Sequence, residues 1–331
     1  MKTDSPLDVI VIGAGISGLL ATAALQSGGA RVLILEKGRG VGGRLATRRT
    51  DLGAFDHGAQ FFTAREPEFR LRVQAWQAAG IVKGWATGFA LADGSFKRDG
   101  ETRFCGVNGM ASIAKYLAHG LDVRVNAKVV RVQTEGDGWV VTTEAGERFS
   151  GRALLLTPPV PQSLELLATG DFLLPEPVRG ELRQIEYEPC LAVLAQLSGP
   201  SRVPEPGGLW FEGEPVSWMA DNQRKEVSSG AGASVTIHAG PQFSRAQWET
   251  PEAAVTATLL AAAAPWLGSV PVQTQLHRWR YSVPLRVHPE RCVVVLETAT
   301  LVFAGDAFGG PRVEGAALSG LAAGAALAKL L

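Results

Sequence analysis

The first apolar segments of the chain have the spacing of a strand, then a helix, then a second strand. Residues 8–12 form a short β-branched run, residues 17–26 place apolar side chains at helical spacing, and residues 31–35 form another apolar run. Gly28-Gly29 is a stop signal between the helix and the second strand. This order predicts a βαβ unit, and therefore a parallel sheet covered by helices.

Further helices and strands are predicted beyond this unit. Asn108-Gly109 precedes a helical segment, Gly136-Asp137-Gly138 is typical of a hairpin turn, and Pro158-Pro159 ends a strand. The predicted helices cover residues 65–79 and 110–119, and the predicted strands cover residues 123–132, 139–144 and 153–156.

The composition changes between about residue 160 and residue 290, where Pro, Gly and Trp are frequent and strand candidates such as residues 192–196 and 234–238 alternate in polarity. At residues 301–305 an apolar strand returns, followed by a Gly/Ala-rich helix. A length of 331 residues agrees with two domains. We predict an α/β fold with a discontinuous first domain and an α+β second domain that has a mixed sheet. The predicted bounds are residues 1–65, 105–160 and 290–331 for the first domain, and residues 66–104 and 161–289 for the second.

Charge and composition exclude several classes of protein. The chain has 32 basic and 32 acidic side chains, and this zero balance argues against a nucleic-acid-binding protein. Its three cysteines and five histidines include no CxxC or HExxH pattern, so we expect neither a metal site nor a disulfide framework. Single thiols are typical of a reducing compartment, and we expect a cytoplasmic protein.

Two uncharged apolar stretches, residues 9–25 and 316–328, superficially resemble membrane segments. Glycines interrupt the first, which also lacks a strongly basic start, and the second is too short to span a bilayer. Gly320 and Gly324 form a GxxxG pattern that indicates close packing inside a globular domain. We therefore expect no stable insertion into a membrane.

A glycine-rich motif, Gly13-Ala14-Gly15-Ile16-Ser17-Gly18, joins the first strand to the first helix. Gly13 allows the tight turn, Gly15 lets the backbone approach a pyrophosphate, and Gly18 lets the helix pack on the sheet. The N–H groups at the start of the helix attract phosphate. Glu36 follows Gly18 by 18 residues, near the ~20 residues expected for the acid that binds the adenosine ribose. These features predict a dinucleotide site.

Two further motifs bear on the identity of the dinucleotide. Gly42-Gly43-Arg44 follows Glu36 where a loop would pass the pyrophosphate, and an arginine there can pair with phosphate or with ring oxygens. Gly305-Asp306 can reach a polyol chain, which a flavin has in its ribityl group and nicotinamide cofactors lack. A helix that begins near Gly315 could point its N-terminus at the flavin pyrimidine edge, where negative charge collects on reduction.

Together these motifs resemble the flavin-containing amine oxidase superfamily, the second glutathione-reductase-like class of FAD proteins. Within it, three segments are similar to the renalase subgroup: residues 55–65, 277–281 and 305–316. The resemblance covers both ends of the chain and most of its length. It implies a discontinuous Rossmann-like FAD-binding domain of that class and a mixed-sheet substrate domain. It also implies non-covalent FAD, since the surroundings of Cys292 do not match the motif of covalent flavinylation.

The resemblance also assigns residues to the cofactor. Val129 would present its backbone to the adenine, and Gly58-Ala59-Gln60 would pass close to the isoalloxazine ring. Taken with the motifs above, the predicted cofactor-binding residues are Gly13, Gly15, Ile16, Ser17, Gly18, Glu36, Lys37, Gly43, Arg44, Ala59, Gln60, Phe61, Val129, Gly305, Asp306, Val313, Glu314 and Ala316.

Relatives of renalase oxidise isomers of reduced nicotinamide dinucleotides that carry the hydride at the wrong ring carbon, and they pass the electrons to oxygen with formation of hydrogen peroxide. Hydride transfer to flavin N5 requires position and electrostatics rather than a nucleophile or a strong base. The sequence shows no Ser/His/Asp or Cys/His arrangement for covalent chemistry. The resemblance therefore implies a dihydronicotinamide dinucleotide as substrate and oxygen as acceptor, with no acid or base assigned.

The candidates for the substrate side are Asn222, His238, His277, Trp279 and Tyr281. Trp279 and Tyr281 lie two residues apart, so on a strand they share a face that suits a flat substrate ring. Trp279 also fits a core aromatic residue. His238 lies between two apolar residues, where a core histidine is the more common alternative.

Arg224 and Lys225 could attract a phosphate of the substrate, although a solvated loop is the more common role of such a charged stretch. Three functions stay open at this stage. The first is the dihydronicotinamide oxidase, and the second is an amine oxidase or a desaturase of the same superfamily. The third is a flavin-binding protein without turnover. An amine oxidase would be expected to place a lysine near flavin N5.

Overall fold

The computed structural model describes residues 7–331. In chain order, its strands are β1 (Leu7–Ile12), β2 (Val32–Leu35), β3 (Thr47–Arg49), β4 (Ala54–Asp56), β5 (Val82–Leu91), β6 (Phe96–Gly106), β7 (Val123–Arg124), β8 (Val129–Glu135), β9 (Gly138–Thr143), β10 (Arg148–Leu156), β11 (Tyr187–Leu197), β12 (Gly208–Trp210), β13 (Val216–Asp221), β14 (Ser234–Ala239), β15 (Pro271–Pro284), β16 (Val293–Leu296) and β17 (Thr300–Phe303). Its α-helices are α1 (Ile16–Ser27), α2 (Pro67–Ala78), α3 (Ala111–Leu117), α4 (Val160–Ala168), α5 (Glu176–Arg183), α6 (Pro241–Ala246), α7 (Glu252–Leu267) and α8 (Arg312–Ala328).

The chain divides into two units, and both are discontinuous in sequence. Unit 1 comprises the described part of Met1–Gly43 together with Ala114–Glu186 and Pro284–Leu331. Unit 2 comprises Arg44–Ile113 and Tyr187–Val283.

An eight-stranded sheet with the path β16-β17-β10-β1-β2-β7 forms unit 1, and β9 and β8 continue it antiparallel to β10. The pairs from β17 through β7 are parallel. β1 and β2 are near-continuous apolar runs, as expected of parallel strands covered on both faces. The predicted βαβ unit is confirmed.

The carboxyl ends of three parallel strands of unit 1 meet around Thr157. Its hydroxyl donates to the Ile12 carbonyl at 2.8 Å and to the Gly13 carbonyl at 3.1 Å, both at the end of β1. A Cβ on Gly305, just beyond β17, would lie 3.5 Å from the Thr157 carbonyl oxygen. Ligands of open parallel sheets bind at this edge, so the edge is where a dinucleotide site belongs.

Helices α1 and α8 of unit 1 approach each other closely through small residues. A Cβ on Gly320 would lie 2.2 Å from the Ser17 carbonyl oxygen, and one on Gly324 would lie 3.0 Å from the Ala21 carbonyl oxygen. The GxxxG pattern therefore serves packing inside the unit, as predicted. None of the helices within residues 7–331 is both long and apolar enough to cross a membrane.

A seven-stranded sheet with the order β15-β11-β14-β13-β12-β5-β6 forms most of unit 2. Along β13, alternate residues serve opposite faces: Met219 joins the core under α7, while Trp218 and Ala220 join an aromatic cluster on the other face. β3 and β4 form a separate two-stranded ribbon. This ribbon carries the polar segment described in the next subsection.

The predicted strand over residues 123–132 is wrong in its extent, because two strands occupy it. β7 pairs with β2 and β8 pairs with β9. Between them Asn126 has a positive φ of 54°, and its N–H donates to the Gly38 carbonyl. Valines continue through this break, so apolar spacing does not reveal it. The helices predicted over residues 17–26, 65–79 and 110–119 are confirmed as α1, α2 and α3, with ends that differ by one or two residues.

The bounds of the two units differ from the predicted domain bounds at four places: residues 44–65 and 105–113 lie in unit 2, and residues 161–186 and 284–289 lie in unit 1. Residues 44–65 lie in unit 2, where the Asp56 N–H is bonded to Asn222, and β6 takes residues up to Gly106 into the seven-stranded sheet. Residues 161–186 lie in unit 1, where α4 packs against β8. The rise in Pro and Gly near residue 160 marks loops and turns, which occur in both units.

We expect Gly320→Ala to destabilise the protein by about 1–3 kcal/mol, since the added Cβ would meet the backbone of α1. Gly180→Ala in α5 is the matched control, because a Cβ there meets nothing within 4 Å and should stabilise the helix by about 0.5–1 kcal/mol. Urea denaturation of both variants tests this. Equal effects of the two substitutions would contradict the close approach of α1 and α8.

Candidate functional site

The glycine motif of unit 1 has the geometry that a pyrophosphate requires. Gly13 has a φ of 102°, which favours glycine, and a Cβ on Gly18 would lie 2.2 Å from the Gly13 carbonyl oxygen. A Cβ on Gly15 would meet nothing within 4 Å, so the backbone faces open space there. A ligand can therefore approach the start of α1 closely.

The start of α1 offers donors that have no partner within residues 7–331. Its N-cap, Gly15, provides no side-chain cap, and no acidic residue lies in its first turn. The Ser17 hydroxyl is buried and has no hydrogen-bond partner among the described residues. The free N–H groups and positive dipole of a helix start bind phosphate, so Gly15, Ile16 and Ser17 fit the predicted pyrophosphate position.

Glu36 ends the second strand with its carboxylate turned to the glycine motif. One carboxylate oxygen accepts the Ala14 N–H at 2.8 Å, and the other accepts the Gly38 N–H at 2.6 Å. The side chain is buried, yet each oxygen keeps a lone pair for a further donor. A ribose with two hydroxyl groups matches these free acceptor positions.

The C-terminal motif lies at the carboxyl edge of the same sheet. Gly305 directly follows the Ala304 that comes after β17, and its N–H donates to the Ser319 hydroxyl at 2.8 Å. Asp306 follows as a buried carboxyl group. Helix α8 begins at Arg312 and not near Gly315, so Val313, Glu314 and Ala316 all lie in its first turns.

Three other predicted cofactor residues of unit 1 differ in their surroundings. Gly43 lies next to the motif, since a Cβ on it would come 3.8 Å from the Gly15 Cα. Val129 is the first residue of β8 and is half-buried. Lys37 is exposed, with its ammonium 3.4 Å from Gln162 Oε1, so its side chain is not held by the motif.

Arg44 of unit 2 is held by backbone carbonyl groups. Its guanidinium donates to the Tyr281 and Ser282 carbonyl oxygens at 3.2 Å each, and it lies 6.0 Å from the ring centre of Tyr187. Its own carbonyl accepts the Ala59 N–H at 2.8 Å. A Cβ on Gly58 would lie 2.2 Å from that carbonyl, so only glycine fits there. Arg44 thus positions the segment that the sequence predicted to pass the flavin.

A buried ion pair lies under this segment. Lys225 Nζ contacts Asp56 Oδ2 at 2.7 Å, and both side chains are 0% exposed. The ammonium also donates to the Gln60 carbonyl and lies 4.9 Å from the ring centre of Trp85. Asp56 accepts further hydrogen bonds from the Thr47 hydroxyl at 2.5 Å and the Met110 N–H at 2.9 Å. The expectation of a solvated Lys225 is therefore wrong: the position of a lysine in a polar stretch does not report its burial.

Asn222 is fully buried, and its amide is occupied. Its Nδ2 donates to the Ser234 carbonyl and the Thr236 hydroxyl at 3.0 Å each, and its Oδ1 accepts the Asp56 N–H at 3.0 Å. The expectation that Asn222 contacts a substrate does not fit this environment. It positions Asp56 instead.

His57, His277 and Trp279 form one cluster of rings in unit 2. The ring centres of His57 and His277 lie 4.7 Å apart, those of His277 and Trp279 lie 4.3 Å apart, and those of His57 and Trp279 lie 5.3 Å apart. Trp279 Nε1 donates to the His57 carbonyl at 2.8 Å, and His238 Nε2 donates to the same oxygen at 3.1 Å. His238, His277 and Trp279, which were predicted for the substrate side, are thus brought together around His57. The sequence interpretation did not single out His57.

The imidazoles of this cluster are neutral at physiological pH. Burial, together with the neighbouring His277 and Arg48, lowers the pKa of His57 to about 3. Burial lowers the pKa of His238 to about 4. Burial and Arg48 lower the pKa of His277. The cluster is therefore an uncharged surface of aromatic rings beside a guanidinium.

The remaining predicted residues of unit 2 lie in three places. Gln60 is buried beside Asp56, with its Nε2 donating to the Asp56 carbonyl at 2.5 Å, while its Oε1 has no partner among the described residues. Phe61 packs into the aromatic cluster with Trp218, at 5.7 Å between ring centres. Tyr281 meets Tyr187 edge to face, with 5.5 Å between the ring centres.

The sequence interpretation missed two residues of this region, Arg48 and His57, and it named Lys225 for a phosphate rather than for the buried ion pair. Asp56 and His57 belong to a segment that the resemblance had marked, so the segment itself was the available signal. No local pattern distinguishes Lys225 from an exposed lysine. No group of three metal-ligating side chains occurs in the chain from Leu7 onward.

Comparison with known proteins supplies the family context. The family described as flavin containing amine oxidoreductase matches residues 66–328, and an NAD(P)-binding Rossmann-like domain matches residues 11–74. Renalase from Mus musculus is 26% identical over 291 residues, which cover 83% of this chain and 84% of the mouse protein. Polyamine oxidase 4 from Oryza sativa subsp. japonica is 33% identical over 93 residues, which cover 27% of this chain and 18% of the rice protein.

Solved structures share the fold. Putrescine oxidase bound to putrescine superposes with a TM-score of 0.71 at 16% identity, covering 98% of this chain and 99% of that chain. Cyclohexylamine oxidase from Brevibacterium oxydans superposes with a TM-score of 0.70 at 16% identity, with the same coverage. At this identity the likeness shows the fold alone, and it confirms the predicted fold class.

We expect Lys225→Met to destabilise the protein by about 3–5 kcal/mol, because it leaves the Asp56 carboxylate buried without its cation. The double variant Asp56→Asn/Lys225→Met should recover part of this loss, as measured by urea denaturation in a double-mutant cycle. Lys128→Met, which breaks the exposed pair with Glu144, is the control and should cost less than about 1 kcal/mol. Strict additivity of the two buried substitutions would contradict the coupling.

We expect Glu36→Arg to abolish retention of FAD during purification, because it puts a cation where the ribose hydroxyl groups need an acceptor. Glu165→Arg is the matched control, since it makes the same charge change on the exposed side of α4 in the same unit. The ratio of flavin to protein absorbance measures the effect. Full flavin occupancy in the Glu36 variant would show that the ribose binds elsewhere.

Proposed function

The chain belongs to the flavin containing amine oxidoreductase family and is an FAD-dependent oxidoreductase, and from this premise we propose that it oxidises isomers of reduced nicotinamide dinucleotides with oxygen as acceptor. Family membership removes the flavin-binding protein without turnover from the three alternatives. What remains open is the substrate, and the proposal concerns that choice.

The residues of unit 1 suit FAD held without a covalent link. The first turn of α1 would donate to the pyrophosphate, Glu36 would accept from the ribose, and Asp306 would accept from the ribityl hydroxyl groups. When bound, FAD supplies a hydride acceptor whose electrons then reduce oxygen to hydrogen peroxide. The substrate loses a C–H bond and its electron pair, which restores the aromatic pyridinium ring.

The charge of the histidine cluster is the observation that carries the proposal. The charged groups that act on His277 and His238 are the cations Arg48 and Lys225, and no carboxylate of the described residues acts on either ring. Lys225 is itself neutralised by Asp56. A neutral aromatic surface beside an unneutralised guanidinium suits a flat ring joined to an anionic group. A dihydronicotinamide dinucleotide has both parts, and the similarity to mouse renalase supports the same choice.

A second candidate, oxidation of an amine, is favoured by a different observation. Phe61, Trp85, Phe89, Trp210 and Trp218 form a cluster in which Trp210 is 37% exposed. Aromatic faces attract ammonium groups. The solved relatives include a putrescine oxidase and a cyclohexylamine oxidase, although their likeness carries the fold alone.

An anaerobic titration of the purified holoprotein separates the two candidates. We would follow the flavin absorbance while adding an equilibrated mixture of reduced nicotinamide dinucleotide isomers, the purified ordinary isomer, or a panel of amines. We expect rapid bleaching by a minor component of the mixture, little bleaching by the ordinary isomer, and recovery of colour together with hydrogen peroxide on admission of air.

Bleaching by an amine alone would transfer the assignment to amine oxidation. Bleaching by the ordinary isomer at the same rate as by the mixture would contradict selectivity for the displaced hydride. Trp279→Ala gives a second measurement, since loss of its ring from the cluster should lower turnover and leave flavin content unchanged. Unchanged kinetics of this variant would remove Trp279 from the substrate site.

A further inference from the structure

Arg48 is a half-buried cation in the middle of β3. Its side chain has no hydrogen-bond or ion-pair partner among residues 7–331. The next residue, Arg49, donates to the Asn108 carbonyl at 2.7 Å. A half-buried guanidinium without a partner in the protein keeps its N–H donors available to an anionic ligand.

The register of the β3–β4 ribbon places Arg48 on the side of His57. Thr47 pairs with Asp56 and Arg48 pairs with Phe55, so these two pairs point to opposite faces of the ribbon. His57 follows Phe55 by two residues and is the diagonal neighbour of Arg48, within reach of a long side chain. The Thr47 face carries the Asp56–Lys225 pair, which is neutral overall. The Arg48 face carries an unneutralised cation.

The positive charge of Arg48 also acts on the rings of this face. It contributes, after burial, to the lowered pKa of both His57 and His277. The same two rings form the cluster with Trp279, at 4.3 to 5.3 Å between ring centres. His57 Nδ1 is buried and has no hydrogen-bond partner among the described residues. The register thus places Arg48 on the face of the ribbon that carries His57 and its ring cluster.

We propose that Arg48 is a specificity-determining residue that binds a phosphate of the substrate while the substrate ring packs on the cluster of His57, His277 and Trp279. This inference rests on the proposed function and specifies the group that is recognised. A guanidinium binds phosphate through two parallel hydrogen bonds, which fixes position as well as supplying attraction. The same charge repels an ammonium group, so Arg48 also disfavours amine substrates.

Steady-state kinetics with two substrates tests this role. The probes are the reduced isomer mixture of the nicotinamide dinucleotide and that of N-methylnicotinamide, which has a similar ring and no phosphate. We expect R48Q to lower kcat/KM for the dinucleotide by about 10- to 100-fold relative to the phosphate-free compound, mainly through KM. R48K should recover part of the loss. R49Q, which removes the neighbouring guanidinium from the opposite face, is the matched control and should leave the ratio unchanged.

Equal losses of R48Q on the two substrates would overturn the inference, because they indicate a structural role. An R48Q variant whose kcat/KM for the dinucleotide equals that of the parent protein would overturn it as well. Flavin content and the urea midpoint of each variant show whether it folds as the parent protein does.

A binding measurement separates this inference from the proposed function. The affinity of the oxidised dinucleotide is measured by tryptophan fluorescence for the parent protein and R48Q. If R48Q weakens binding of the oxidised dinucleotide but the parent protein does not oxidise the isomers, the proposed function is contradicted and the phosphate site is supported. If the protein oxidises the isomers and R48Q binds the oxidised dinucleotide with the affinity of the parent protein, the phosphate site alone is contradicted.

Discussion

The buried ion pair between Asp56 and Lys225 is the interaction on which the candidate site of unit 2 depends. Neither charge contacts water, so each must find its partners inside the protein. Asp56 takes them from Lys225, Thr47 and the Met110 N–H, and Lys225 takes them from Asp56, the Gln60 carbonyl and the Trp85 ring. The ribbon of β3 and β4 and the loop after β13 are therefore fixed in one arrangement around this pair.

The backbone of the segment that follows Asp56 is also held in place by hydrogen bonds. The His57 carbonyl accepts two side-chain donors, and the Asp56 and Gln60 carbonyls are also occupied. With the backbone fixed, the rings of His57, His277 and Trp279 are held in contact and buried enough to stay uncharged. An uncharged ring surface beside Arg48 is the physical basis of our proposal that the substrate is flat and anionic.

The dinucleotide site of unit 1 and the ring cluster of unit 2 differ in how well they can be predicted. The glycine turn, the start of α1 and the placement of Glu36 follow from residues close together in the sequence, and the structure agrees with that interpretation. Lys225 and Asn222 were misjudged, because a polar stretch of sequence is compatible with either a solvated loop or a buried network. The partners of Lys225 lie 169 and 165 residues away in the chain.

The sequence by itself determined the βαβ unit and its dinucleotide site, because local spacing encodes a strand, a glycine turn and a helix start. The motifs beyond this unit pointed to FAD. The resemblance carried by short motifs extended this to the family. Only the tertiary structure decided which side chains share the ring cluster: His57 meets His238 across 181 residues and Trp279 across 222 residues. It also decided the charge of that cluster, because burial and the approach of Arg48 set the pKa of each imidazole, and neither is encoded by local spacing.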